Sequence, residues 1–159
     1  MPVLAQGEAH PAPQTLIDEH RAIEHHLENV SREHGRVGAA AKRVLAILVP
    51  HQRREEESVL PLLSLLDSIV EGGVSPDMSW AVPMSNRLKA ERSTFYDEHS
   101  KIVVALDELT AAARQRHDDK LVRFCERVAD RAVNDDNEVT IPAAILVGSY
   151  VARDLGIKQ

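Results

Sequence analysis

The chain has 159 residues, and 19 Lys and Arg against 25 Asp and Glu give it a formal net charge of −6 at pH 7. That length suits one domain able to bury its own core, and 43% apolar with 28% charged residues excludes wholesale disorder. The acidic balance and only five aromatics argue against nucleic acid as a partner, while a lone Cys125 excludes an intrachain disulfide and a Cys-based zinc site.

Residues 1–14 carry Pro2, Pro11 and Pro13 with little periodicity and read as an extended N-terminal arm. Thr15 and Asp18 form a capping-box pattern that predicts a helix start. From there Leu16, His20, Ile23, Leu27, Val30 and His34 recur at steps of three and four along one helix face, up to Gly35. A second helix is predicted from about Gly38 into the 62–69 region, with a face through Val44, Leu48, His51, Glu55, Ser58 and Leu62 and a kink at Pro50. Gly72, Gly73, Pro76 and Pro83 mark a loop. The third helix is expected over about 85–114, with the face Leu88, Arg92, Phe95, His99, Ile102, Leu106, Leu109 and Ala113. The fourth starts near Asp118 with the face Leu121, Cys125, Val128, Ala132, Asp136 and Val139, and Pro142 opens or kinks a short last helix. Four amphipathic helices with short connections predict an all-α fold, an antiparallel up-down four-helix bundle over 15–153 with a short extra C-terminal helix and a tail at 154–159.

The longest uncharged run, Val139 to Ala152, has 14 residues, against the roughly 20 that a membrane span requires. No Lys or Arg precedes Arg21, so a secretory signal is not expected either, and the predicted location is the cytoplasm.

A weak internal repeat runs through the chain. Asp18-Glu19-His20 returns as Asp97-Glu98-His99, an offset of 79, each followed by Ile three and Leu seven residues after the His. The segment from His51 to Pro61 returns from Ala132 to Pro142 at an offset of 81, with its acidic cluster and its Pro in register. Helix one thus corresponds to helix three, and helix two to helix four.

Five polar residues sit in the apolar seams: His20, His51, Glu55, His99 and Asp136. An ionised carboxylate facing a core costs several kcal/mol unless it is paired, protonated or metal-bound. His51 and Glu55, four residues apart, project from one face and reach a single ion together. Two imidazoles and one carboxylate with open positions favour ferrous iron, and His20, His51 and Glu55 supply that set. His25 and His26 fall beside the seam, and His10, His34 and His117 near ends or loops, so these five read as surface or supporting residues. Glu56, Glu57, Asp135 and Glu138 read as a solvated acidic face, with Glu56 the one placed to lean inward. Cys125 reads as a small core residue and Tyr96 as packing.

The order of a DEH-type His on helix one, HxxxE running into a VLP turn on helix two, a second DEH-type His on helix three and a final acidic turn entering IPAAILVG resembles the hemerythrin-like, or HHE cation-binding, domain family. The likeness spans roughly residues 15–153. It implies a four-helix bundle around a non-haem di-iron centre that binds or senses oxygen, handles peroxide or nitric oxide, or senses iron. The ligands it implies are His20, His51, Glu55, His99 and Asp136, with Glu55 and Asp136 bridging, His20 and His51 on one iron, and His99 on the other. One departure stands out: the family pattern expects a His where the Pro-anchored register puts Ala132. A register shifted by two would use Asn134 and Glu138 instead. The resemblance therefore implies an asymmetric site with one firm iron and a second that is weak, solvent-completed or absent.

Small ligands of the expected kind are a diatomic molecule or peroxide, and electrons for any turnover would come from a partner protein or small reductant, because no nucleotide, flavin or haem motif is present. The alternative expectation is a degenerate bundle that works as an interaction or regulatory module with zinc or no metal.

Overall fold

The computed structural model describes residues 10–158, and these contain helices and no strand. The arm expected over residues 1–14 lies outside the described residues as far as residue 9, and residues 10–13 carry no helix. Helix α1 spans Gln14–Ser31, α2 Gly35–Ser58, α3 Leu60–Leu63, α4 Leu66–Gly72 and α5 Ala81–Gln115, which a short 3-10 turn at Pro76–Trp80 precedes. Helix α6 spans Asp119–Asp130, a π-helical stretch follows over Arg131–Thr140, and α7 spans Ile141–Leu155. Among the described residues no helix is long and apolar enough to cross a membrane.

The capping box expected at Thr15 is not used. Pro13 stands at the helix entry with φ −58°, and its carbonyl accepts from the Leu16 and Ile17 N–H groups at 3.1 and 3.2 Å, so Thr15 is already inside the first turn. Proline has a φ pre-set near the helical value and needs no N–H there, which moves the start forward. Pro50 lies within α2, which continues through it to Ser58. The expected long second helix instead ends before Pro61, whose ring and missing N–H disfavour helix on its N-terminal side. The remainder of that stretch folds as α3 and α4. Helix α5 starts four residues earlier than predicted and, with 35 residues, is about 52 Å long at 1.5 Å per residue. It is the shared wall: α2, α6 and α7 all pack on it, and α1 packs on α2. Helix α7 approaches α5 closely at Gly148, where a Cβ would stand 2.1 Å from the Ser85 Cβ and 2.8 Å from the Ala81 carbonyl oxygen.

Two apolar clusters fill the interior. One gathers Leu27, Val44, Leu48, Ile102, Leu106 and Val128; the other gathers Val59, Leu62, Leu88, Phe95, Ile141 and Val151. The same helices pass through both. Along α2 and the residue that follows it the order is Leu48, His51, Glu55, Val59, and along α5 it is Phe95, His99, Ile102, so helical spacing puts a polar layer between two dry ones.

Candidate metal centre

All five residues singled out in the seams are buried: His20, His51, Glu55, His99 and Asp136 expose no more than 7% of their surface. Their side chains converge on Glu55. The Nε2 atoms of His51 and His99 stand 3.3 and 3.5 Å from its Oε1, and Nε2 of His20 stands 3.4 Å from its Oε2. His51, Glu55 and His99 each offer a ligand atom within 4.8 Å of the others. The His51 and His99 rings lie with centroids 4.6 Å apart and share one oxygen of Glu55. The reason is that α2 and α5 pack directly on one another, which brings both rings to one carboxylate oxygen while α1 delivers His20 to the other.

Each imidazole is oriented by an acceptor on its far side. Nδ1 of His20 is 3.0 Å from Glu56 Oε1, Nδ1 of His51 is 2.7 Å from Glu98 Oε2, and Nδ1 of His99 is 2.5 Å from Asn137 Oδ1. An Nδ1–H committed to such an acceptor leaves the Nε2 lone pair aimed into the layer, the arrangement that metal-binding histidines use. The acceptors are anchored in turn. Arg21 donates twice to Glu56 at 2.9 and 2.8 Å, Arg54 bonds Glu98, and the Tyr96 hydroxyl donates to the Asn137 carbonyl at 3.0 Å. Tyr96 thus does more than pack.

Burial penalises the charged forms of His20 and His51, yet the neighbouring Glu55 carboxylate, joined by Glu56 at His20 and by Glu98 at His51, outweighs it and raises both pKa values. Burial pushes the Glu55 carboxyl up, but the imidazoles of His20, His51 and His99 that face it outweigh this and hold it well below the usual carboxylate range. Asp136 is different: burial, then the nearby Glu55 charge, push its carboxyl up to about 6, with Arg131 offsetting part of the rise. It lines a cavity of about 20 Å³ together with His20, His51, Glu55 and His99. Of the two possible helix-four registers, the described one buries Asp136 and Ala132 and leaves Asn134 and Glu138 exposed.

Three buried atoms in this layer find no hydrogen-bond partner: Glu55 Oε1, His99 Nε2 and Gln52 Oε1. Unpaired buried polar atoms are costly, and three lining one small cavity are the donor atoms a cation satisfies. The donors are imidazole nitrogen and carboxylate or amide oxygen with no thiolate, a set that suits iron and zinc among first-row metals.

Sequence reasoning passed over several of these residues. Glu24 is buried on α1 and held by Arg21 at 3.1 Å and Arg53 at 3.0 Å, so it belongs to the ionic support around Glu56. Gln52 was hidden because it follows His51 directly and is not on the idealised face. Glu98 and Asn137 lie one residue from a seam position. A signal for them was present in the repeat: Glu56 and Asn137 are 81 apart, as are His51 and Ala132, and each bonds the His of its own half. The remaining histidines fall outside the layer; His25, His26, His34 and His117 are exposed, and His10 stacks on Trp80 at 3.8 Å.

Compared with protein-family models, with curated proteins and with solved structures, the chain matches none.

Proposed function

We propose that this protein is a non-haem iron-binding member of the hemerythrin-like class, with its helices arranged as an antiparallel four-helix bundle around the histidine and carboxylate layer. The observation that carries the reading is the convergence of three Nε2 atoms on one buried carboxylate, each ring locked from behind by its own acceptor. His20, His51, Glu55, His99 and Asp136 would hold the metal. Iron held there would supply redox-active Lewis-acid chemistry toward dioxygen, nitric oxide or peroxide.

The chain's own residues define what reaches that site. A cavity of about 20 Å³ lies among the donors, room for about one water-sized body, so only a small species can sit beside them. Leu48, Ile102, Ile23 and Val128 wall it and keep bulk water away from the donors. Glu56, Glu98 and Asn137 hold the rings and keep protons on Nδ1. The layer is unequal: the half that carries Ala132 lacks a nitrogen donor, so the reading is one firm iron and a weaker or missing second.

A second reading is a bundle that keeps the layer with zinc or with no metal and acts as a regulatory module. It draws on the fact that Glu55 is already met by three imidazoles and that Ala132 occupies a buried wall position with no ligand atom. Metal analysis of protein produced with iron decides between the two, together with a near-ultraviolet spectrum for ferric iron. Stoichiometric iron that His51→Ala removes and His117→Ala leaves in place is expected. Zinc alone, no metal, or equal loss in both variants would overturn the iron reading.

A further inference from the structure

Lys120, Arg123, Arg127 and Arg131 recur at steps of three, four and four, which lines four cations along one side of α6 and into the π-helical stretch. They face α1 across a groove of about 630 Å³, within the range of small-molecule sites. In a chain of net charge −6, this is a local inversion of sign. Only one of the four is neutralised: Arg131 pairs with Glu19, whereas Lys120, Arg123 and Arg127 have no ion pair among the described residues. Arg123 and Arg127 are exposed and so cost nothing to keep charged, ready for an incoming anion.

The floor between the cations is apolar. Phe124 and His26 lie with ring centroids 4.1 Å apart at 41°, and Ile23 and Val128 continue the surface inward. Arg131, Ile23 and Val128 also line the small cavity at the histidine layer, so the inner end of the groove abuts it.

We infer that this groove binds a small organic anion with a flat apolar body, its ring on Phe124 and His26 and its carboxylate or equivalent group between Arg123 and Arg127. Guanidinium groups take carboxylates in a two-point fork, and an aromatic floor favours a planar body over a bare ion. A polymer such as nucleic acid fits less well, because the cations form one short stripe over an otherwise acidic chain. The site stands independently of the metal reading, since neither the cations nor the floor belong to the donor set.

Titration calorimetry of the full chain with 2-naphthoate, without added metal, tests this. Binding is expected, weakening as salt rises. The neutral 2-naphthamide and inorganic phosphate, each with half of the recognition, are expected to bind more weakly. Arg123→Glu with Arg127→Glu should lower naphthoate affinity about tenfold or more, while Arg43→Glu, on another face, should not. Both charged positions are exposed, and circular dichroism verifies that the variants fold. No binding of naphthoate, equal binding of naphthamide, or an affinity unmoved by the groove reversal would overturn the assignment.

Discussion

Glu19 and Glu98 occupy equivalent places in the duplicated triplets, yet they do different work. Glu98 accepts from His51 Nδ1 at 2.7 Å, whereas Glu19 bonds Arg131. The partner that Glu19 lacks is the residue equivalent to His51, which is Ala132. The second half of the chain therefore has no ring where the first has His51, while the acceptor equivalent to Glu98, Glu19, stands on α1. Ala132→His is expected to raise iron content from about one toward about two per chain, because a new imidazole at that buried position meets both the cavity and an existing carboxylate. Adding Glu19→Ala to that variant should remove much of the gain. Iron content unchanged by Ala132→His would show that position 132 does not face the second metal position.

At the scale of the helix, the start of α6 is held by one side chain. Asp118 accepts from the Leu121 N–H at 3.0 Å and receives Arg116 at 2.6 Å, and these contacts hold its carboxyl below the usual range, the Leu121 bond foremost. A carboxyl whose pKa is depressed by folding contributes stability that is complete above its unfolded value of about 4 and is lost as pH falls through the lower folded value. Asp118→Ala is expected to cost about 1 kcal/mol near neutral pH, measured by urea unfolding, and the difference from wild type should shrink in acid as the part that depends on the carboxylate charge is lost. Asp118→Asn keeps the cap acceptor and should retain most of the stability while losing this pH dependence. A cost that persists unchanged in acid would rule out the carboxylate charge as part of its source.

For the whole molecule, the polar layer is both the site and the seam between two apolar clusters. Buried donors without partners weaken that seam, and any cation that binds the folded state alone stabilises it by mass action. Removing metal from the loaded protein with a chelator is expected to lower the melting temperature, and restoring iron should recover it; identical melting of the two forms would place the metal outside the layer. The His51→Ala protein should melt at the same temperature with and without added iron.

Much of this was legible from residue order. Period 3.6 in the apolar positions carries the helical fold, and the seam positions of His20, His51, Glu55, His99 and Asp136 follow from the same periodicity, since a polar residue at a core spacing must be buried once the helix packs. Boundaries were less legible: Pro13 and Pro61 overrode the capping and periodicity signals because their effect on backbone dihedrals is local and strong. The π-helical stretch at Arg131–Thr140 had no recognisable signature, and it is the element that brings Asn137 to His99. Spacing along one helix tells which residues share a face, so the burial of these five polar residues was legible in the sequence. Which imidazoles share an oxygen of Glu55, which acceptors lock them, and that a cationic groove lies beside them depend on contacts between distant helices, and only their packing in three dimensions decides those.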